Sequence, residues 1–185
     1  RGAECLPNGD ARRLSPIVSE EEPLIGIGPS ALLSFRDESP ALVDPSLRET
    51  SRELASHCLL LDEFIVREAD AGRIDSACFT DEARTIHVHG HCHQKALASI
   101  DSTLQMLSLP GNYSVSEIPS GCCGMAGSFG YEKEHYEVSM QVGSLVLFPD
   151  LKELDQPILV AAAGTRCRHH ITDGVDRTAL HPAKI

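Results

Sequence analysis

The run "PILVAAAG" at 157–164 limits the fold more than any other feature, because it is apolar at nearly every position. Strands that are buried on both faces have this composition, and they lie at the centre of parallel sheets. The run ends in a glycine, and the stretch "CRHHITDG" that follows is predicted to start a helix. A strand that leads directly into a helix indicates an α/β architecture.

The same alternation of strand and helix recurs along the chain. The predicted strands are 23–30, 85–91, 113–119 and 157–164. Helical spacing predicts a short helix from residue 31 and longer helices over 44–72, 94–109 and 131–148. In the helix over 44–72, Cys58 would share an apolar face with Leu54, which predicts a core position for this thiol. The fold class we expect is α/β, with a mostly parallel sheet and flanking helices.

Charge and composition exclude several functions. The 185 residues carry a net charge of -11, include no Trp and form no basic stripe. Nucleic acid is therefore not an expected partner. No apolar run approaches the roughly 20 residues that a helix needs to cross a bilayer. The start, "RGAECLPNGDARR", has neither an initiator Met nor a signal peptide, so we expect a processed product or a fragment. Residues 6–22 are polar and are expected to form a loop, and 1–22 as a whole a linker or the truncated end of a preceding segment.

Four of the seven cysteines follow predicted strands. Cys92 follows 85–91, Cys122 and Cys123 follow 113–119, and Cys167 follows 157–164. Because parallel strands end at the same edge of a sheet, these thiols are expected to converge there. An odd cysteine count in a chain of this size argues against a secreted disulfide scaffold and favours intracellular thiols that bind metal or do chemistry. Four thiolates suit an iron–sulfur cluster or a structural zinc ion.

The loop "SGCCGMAGSFG" places two of these cysteines side by side. Adjacent cysteines make a strained disulfide, but they can ligate one centre where the backbone turns sharply between them. Glycines supply that backbone freedom, and their amides can point at sulfur: Gly121, Gly124, Gly127 and Gly130. The loop lacks the Lys-Ser/Thr ending of a phosphate cradle. The alternative interpretation is that these are buried free cysteines in a tight turn.

Histidines surround the predicted strand ends. His91 and His93 flank Cys92, where they are candidates to donate hydrogen bonds to sulfur or to carry protons. His87 and His89 are interpreted as ordinary strand residues with hydrogen-bond partners, with a zinc or nickel ladder as the alternative.

The last helix begins with a further group of charged and metal-binding side chains. His170 follows Cys167 in a C-x-x-H step and is a candidate additional ligand. Arg168 and His169 are candidates to offset the negative charge of a thiolate cluster. The remaining cysteines, Cys5, Cys58 and Cys78, have no partner at ligand spacing.

A weak internal repeat divides the chain. The stretch "LIGIGPSALLSF" at 24–35 parallels "LVAAAGTRCRHHI" at 159–171, and Ala31 takes the place of Cys167. We expect residues 23–84 to be a partial first half that lacks its cysteine ligand, and residues 85–185 to be a complete second half.

These motifs together resemble a known family. Cys92, Cys122-Cys123-Gly124 and Cys167-x-x-His170 are similar to the cysteine-rich CCG domain that occurs in heterodisulfide reductase, in the iron–sulfur protein of glycolate oxidase and in anaerobic glycerol-3-phosphate dehydrogenase. The longer strings "HGHCHQKAL", "IPSGCCGMAGSFGYEKEHYEVSMQVG" and "AAAGTRCRHHITDG" resemble the C-terminal region of FAD-linked D-2-hydroxyacid dehydrogenases. The resemblance covers residues 23–185.

The resemblance implies electron transfer. It implies that Cys92, Cys122, Cys123 and Cys167 hold a [4Fe–4S] cluster that relays electrons from a flavin toward a quinone or another acceptor. The substrate would be D-lactate, glycolate or D-2-hydroxyglutarate. FAD and a ferredoxin-like segment would belong to a flavoprotein domain or subunit outside this sequence. The expected location is cytoplasmic, with peripheral association with a quinone-reducing complex at the inner face of the membrane.

The sequence departs from the family pattern at two places. Gly28-Pro29-Ser30-Ala31 stands where the family has "EPSC", so the first half is expected to hold no cluster. His170 stands where the family's fifth cysteine is usual. The alternatives to an iron–sulfur relay are a structural zinc module, a metal-free thiol module and a degenerate module that only docks to its flavoprotein.

Overall fold

The computed structural model describes residues 2–154 and 157–185, and it is an α/β protein in which both sheets are entirely parallel. The fold class predicted from the sequence is confirmed. The chain divides into two compact units, one that ends at Phe64 and one that runs from Ile65 to Ile185. The boundary expected from the sequence repeat lay at 84/85. Within the described ranges, no helix combines the length and the apolar character needed to cross a membrane.

The first unit is mostly helical and has a small sheet. Its elements are α1 (Gly2–Leu14), β1 (Leu24–Gly26), α2 (Pro29–Arg36), α3 (Glu38–Leu42), a 3-10 helix at Pro45–Leu47, α4 (Arg48–Ser56), β2 (Cys58–Leu60) and α5 (Leu61–Asp70), which continues into the second unit. β1 pairs in parallel with β2, with Leu24 opposite Cys58. Its core is formed by the buried side chains of Leu32, Leu33, Leu54, Cys58 and Leu60.

The second unit contains a four-stranded parallel sheet. Its elements are β3 (Arg84–His89), α6 (Cys92–Leu97), α7 (Asp101–Leu107), β4 (Tyr113–Glu117), α8 (Tyr136–Gly143), α9 (Leu147–Glu153), β5 (Leu159–Ala162), α10 (Thr165–Val175) and β6 (Ala179–Leu180). Short 3-10 helices lie at Ser76–Cys78, Phe129–Tyr131 and Pro182–Lys184. The strand order is β4-β3-β5-β6, so the apolar run that predicted an interior strand does form one.

Helices cover both faces of this sheet. Val160 and Ala162 of β5 pack on one side with residues of α9 and α10, whereas Ala161 packs on the other side with β3 and α7. Burial on both faces explains why β5 is apolar at every position. The covered sheet leaves its carboxyl edge as the place where polar side chains can gather.

Tertiary pairing overrides the helix predicted over 44–72. The segment forms α4, β2 and α5, so Cys58 lies in a strand and not on a helical face. The pairing partner of β2 is β1, more than thirty residues away, and local helical spacing does not reveal it. The prediction that Cys58 belongs to the core is confirmed, since this side chain is fully buried.

Two other helix predictions and one loop prediction need correction. The segment 131–148 is not one helix, because α8 ends at Gly143 and α9 begins at Leu147. A Cβ at Gly143 would lie 2.4 Å from Cζ of Phe148, so the two helices meet closely at that glycine. The segment 94–109 is likewise divided between α6 and α7. Residues 6–22, expected as a loop, begin within α1, which buries Ala11.

Candidate metal centre

Three neighbouring strands deliver four cysteines to one edge of the larger sheet. Cys92 is the first residue of α6, just after β3. Cys122 and Cys123 lie in the loop after β4, and Cys167 is the third residue of α10, just after β5. Because β4, β3 and β5 are adjacent and parallel, their carboxyl ends lie side by side.

The four thiols interact with one another in a continuous line. Cys92 contacts Cys122, Cys122 contacts Cys123, and Cys123 contacts Cys167. Cys92 is exposed, Cys122 is partly exposed, and Cys123 and Cys167 are buried. The line therefore runs from the surface of the unit into its interior.

Hydrogen bonding divides these thiols into proton donors and anions. Thiol donation from Cys123 and Cys92 lowers the pKa of Cys122 well below its usual value. Thiol donation from Cys123 is also the main reason that the pKa of Cys167 is lowered. The pKa values of Cys92 and Cys123 are raised, in both cases chiefly because these thiols hydrogen-bond to Cys122. The line thus alternates S–H and thiolate, and a metal ion would replace the two remaining protons.

The loop between β4 and α8 holds the adjacent cysteines through one glycine above all. Gly124 has a φ of +110°, and its N–H donates to Sγ of Cys122 at 3.3 Å. A Cβ at this position would lie 2.4 Å from the carbonyl oxygen of Ser139. Gly127 also has a positive φ, of +70°. At Gly121 the φ is not positive and an added Cβ would meet open space, so the structure gives no reason for a glycine there.

A second glycine permits close packing at the end of β5. Gly164 caps α10, and a Cβ there would lie 2.6 Å from Cδ2 of His91 and 2.8 Å from Sγ of Cys167. His91 in turn caps α6, where its Nδ1 accepts a hydrogen bond from the His93 N–H at 3.3 Å. Burial lowers the pKa of His91, which keeps the ring neutral despite the nearby Cys167 thiolate. His91 therefore lies beside the thiols, while His93 donates its backbone N–H to the ring of His91.

His89 belongs to the site, and the sequence interpretation did not place it there. Its ring is buried, and Nδ1 lies 2.7 Å from Oγ of Ser120, so it does have the expected hydrogen-bond partner. A ring nitrogen of His89 and the sulfurs of Cys123 and Cys167 also lie within 4.8 Å of one another. The alternation "HVHGHCH" carried the signal, since His89 is the last residue of β3, but the decisive neighbours come from other strands.

His170 supports the cysteine loop from α10. It is buried, and its Nε2 lies 3.4 Å from Oγ of Ser139 and 3.3 Å from Sδ of Met140. Burial is the main cause that lowers its pKa, so the ring is neutral. A Cβ on Gly124 would lie 3.0 Å from Cε1 of His170, which places this ring directly behind the loop.

The remaining predicted side chains have other contacts. Arg168 donates from Nη1 to the carbonyl oxygens of Ala162 and Ala163, both at 2.8 Å, and so fixes the turn after β5. His169 is exposed, and its Nδ1 lies 2.7 Å from the hydroxyl of Tyr131. Cys78 is exposed, and the side chain of Cys5 lies outside the part of the chain that the structure describes.

The donor set matches a soft metal centre. Thiolate and imidazole are the ligands that zinc and iron–sulfur centres use. One buried imidazole nitrogen, Nε2 of His89, has no partner in hydrogen-bond geometry among the described residues, and a ring nitrogen of His89 lies within 4.8 Å of two buried sulfurs. Buried polar atoms without partners are rare, and an absent ligand is one explanation for them. The residues present therefore fit a metal ion or an iron–sulfur cluster.

Comparisons with known proteins find distant relatives among dehydrogenases. The chain is 26% identical over 164 residues to one of the subunits of the anaerobic glycerol-3-phosphate dehydrogenase of Escherichia coli K12. It is 25% identical over 178 residues to the D-2-hydroxyglutarate dehydrogenase of Pseudomonas putida, and 24% identical over 161 residues to that of Pantoea ananatis. These alignments cover 88%, 95% and 86% of this chain.

The chain spans only part of each relative. It covers 39% of the glycerol-3-phosphate dehydrogenase subunit, 16% of the Pseudomonas putida enzyme and 15% of the Pantoea ananatis enzyme. No family model matches the sequence, and no solved structure matches it. The similarity therefore connects this chain with oxidoreductases of the dehydrogenase type, at 23–26% identity.

Proposed function

We propose that this chain is the iron–sulfur region of an FAD-linked D-2-hydroxyacid dehydrogenase, a CCG-type domain with one [4Fe–4S] cluster. Its ligands would be Cys92, Cys122, Cys123 and Cys167. The observation that supports this most is the continuous line of four thiols at three adjacent strand ends. The similarity to D-2-hydroxyglutarate dehydrogenases and to a glycerol-3-phosphate dehydrogenase subunit points to the same class of chemistry. A bound cluster supplies one-electron redox chemistry.

The protein's own residues would hold and shield the sulfurs. The N–H of Gly124 donates to the Cys122 sulfur, and the N-terminus of α10 favours negative charge on Cys167. Cys123 and Cys167 are buried, which keeps water away from the inner half of the site. Cys92 is exposed and gives a redox partner access to the other half.

The chain would act with other components. Oxidation of a hydroxyacid such as D-lactate, glycolate or D-2-hydroxyglutarate requires a flavin, which we assign to a flavoprotein domain or subunit together with a ferredoxin-like segment. Residues 85–185 would be a complete CCG half-domain, and residues 23–84 a partial one without its ligand. The electron acceptor would be a quinone or another carrier, reached by peripheral association with a quinone-reducing complex at the cytoplasmic face of a membrane.

A structural zinc site is the second candidate, and one observation favours it. Around a tetrahedral zinc ion with Zn–S bonds of about 2.3 Å, neighbouring sulfurs lie roughly 3.8 Å apart. The donor atoms of His89, Cys123 and Cys167 all lie within 4.8 Å of one another. That compact spacing suits a single ion.

The deciding experiment measures metal and acid-labile sulfide on chain purified without oxygen, together with its visible spectrum before and after reduction. We expect about four irons and four sulfides per chain and an absorption band that bleaches on one-electron reduction. About one zinc without sulfide would establish the structural site in place of the relay. If the chain holds neither iron nor zinc, both candidates are overturned. Thiol chemistry at Cys122 or a docking module is then favoured.

The hydroxyacid assignment has its own test. The iron-loaded chain alone should not be reduced by D-2-hydroxyglutarate. Addition of a flavin-containing D-2-hydroxyglutarate dehydrogenase together with that substrate should bleach the chain's absorption band. Bleaching by the substrate without the flavoprotein would contradict the proposed role as a relay. So would an absorption band that does not bleach when both the flavoprotein and the substrate are present.

A further inference from the structure

His89 is held rigidly between the strand ends that carry the cysteines. It is the last residue of β3, lies opposite Ala162 of β5 and is only 1% exposed. β3 also pairs with β4, whose following loop supplies Ser120, Cys122 and Cys123. The imidazole ring therefore has neighbours from both flanking strands.

The direction of the hydrogen bond at Nδ1 of His89 decides whether Nε2 carries a proton. Oγ of Ser120 lies 2.7 Å from Nδ1 and 3.5 Å from the carbonyl oxygen of Ile118. When the Ser120 hydroxyl points toward Ile118, its oxygen accepts from the Nδ1–H of His89. In that tautomer Nε2 carries a lone pair. Lys95 holds the Ser120 backbone in place, since its Nζ donates to the Ser120 carbonyl oxygen at 2.8 Å.

Nε2 of His89 is the ring nitrogen whose bonding the described residues do not complete. It is buried and meets no partner in hydrogen-bond geometry among the described residues, although the ring also interacts with the Cys167 sulfur. Since Nδ1 is engaged by Ser120, Nε2 is the ring nitrogen available to complete the group with the sulfurs of Cys123 and Cys167, all within 4.8 Å. A histidine whose far nitrogen is fixed by a hydrogen bond and whose near nitrogen faces thiolates has the arrangement of a metal-ligating histidine.

We propose that His89 ligates the metal centre through Nε2, alongside Cys123 and Cys167. The inference rests on the proposed metal-binding function of these thiols and adds a nitrogen donor to the set. His170 also has a buried nitrogen without a partner, Nδ1, but among the described residues it is not part of the compact donor group. A neutral imidazole adds a donor to the centre without adding negative charge.

The test is pulsed EPR on the one-electron-reduced, iron-loaded chain, prepared once with natural histidine and once with ¹⁵N-labelled histidine. We expect strong nitrogen hyperfine coupling that changes with the label. His89→Ala should remove the coupling, and Ser120→Ala should alter it and weaken metal binding by about 10- to 100-fold. His87→Ala is the matched control, because His87 lies two residues earlier on β3 with its Nδ1 3.3 Å from Oγ of Ser116. It should leave the spectrum unchanged.

Each result separates this inference from the proposed function. A chain without metal overturns the proposed function itself. A metal-loaded chain whose signal shows no strong histidine coupling overturns only the role of His89, as does coupling that survives in His89→Ala. If His89→Ala loses the metal altogether, three other variants decide the assignment. The signal belongs to His89 if the nitrogen coupling persists in His91→Ala and His170→Ala but shifts in Ser120→Ala. For a chain that holds zinc, X-ray absorption at the zinc edge replaces EPR, and a shell of sulfur alone overturns the inference.

Discussion

A strand-to-helix turn of the same design occurs in each of the two units, and only one of them carries a thiol. Gly28 caps α2 and Gly164 caps α10, and both glycines have extended backbone angles. Ala31 and Cys167, which the sequence repeat aligns, are each the third residue of the helix that follows. Ala31 is exposed, whereas Cys167 is buried. The local design is therefore the same, and the surroundings differ.

The difference lies in the neighbouring strands. Among the strands of the described residues β1 pairs with β2 alone, and the end of β2 leads directly into α5. β5 lies beside β3 and one strand away from β4, and the ends of those strands supply Cys92, Cys122 and Cys123. A turn of this kind becomes a candidate site only where adjacent strand ends add further donor atoms.

Two buried cysteines make the same comparison at the level of a single group. Burial raises the pKa of Cys58 to about 11, although Arg36 opposes the shift, and its thiol donates to the Leu54 carbonyl oxygen at 3.2 Å. Cys167 is also buried, yet the thiol of Cys123 lowers its pKa. Burial alone keeps a thiol neutral, and a thiolate in the interior requires neighbours that stabilise its charge.

The largest effect that would sharpen this comparison is the loss of metal. Cys123→Ser should weaken metal binding by more than about 100-fold, beyond the effect expected from a lost supporting hydrogen bond. Cys122→Ser should behave alike and should also loosen the loop at 119–130. Metal content per chain after anaerobic purification measures both.

Cys58→Ser is the control for these variants. It changes a thiol of the first unit that donates to the backbone carbonyl of Leu54. It should keep the full metal content and cost only packing. Equal metal loss in all three variants would show that the ligand assignment is wrong.

A smaller effect is expected from the two cap glycines. Gly164→Ala puts a Cβ 2.6 Å from His91 and 2.8 Å from the Cys167 sulfur, so the ring or the thiol must move. We expect a loss of about 1 to 3 kcal/mol in the free energy of unfolding, with weaker metal binding. Gly28→Ala changes the same cap position, and its Cβ meets no atom within 4 Å. Chemical denaturation and metal titration of both variants should separate them; equal effects would mean that the loss comes from the cap and not from crowding.

The sequence predicts the parts of this molecule that depend on local pattern. An apolar run predicts β5, and the positions of the cysteines after three predicted strands place them at one sheet edge. The helix over 44–72 failed as a prediction because β2 exists only through pairing with β1. The helix over 131–148 failed because Gly143 lets Phe148 approach closely, a tertiary contact that helical spacing does not encode.

The environment of His89 could not be predicted from the sequence for the same reason, because it consists of tertiary contacts. Its partners are Ser120, from the loop after β4, and the sulfurs of Cys123 and Cys167, from two other parts of the chain. The alternation of histidines gives the face on which the ring lies, but the register of three strands decides what it meets. The sequence therefore predicts that the thiols converge, but not that the imidazole of His89 lies beside them.

The smallest expected effect is the pH dependence that Cys58 contributes. Because burial raises its pKa from 9.0 to about 11, the folded chain keeps this proton between those values while the unfolded chain releases it. The stabilisation is fully present below pH 9 and is lost as the pH rises toward 11. Two pKa units correspond to about 2 to 3 kcal/mol. The difference in unfolding free energy between the original chain and Cys58→Ser should shift by this amount, against the original chain, between pH 8 and pH 11. A difference that stays constant over this range would mean that Cys58 ionises as readily in the folded chain as in the unfolded one, and that its contrast with Cys167 is not electrostatic.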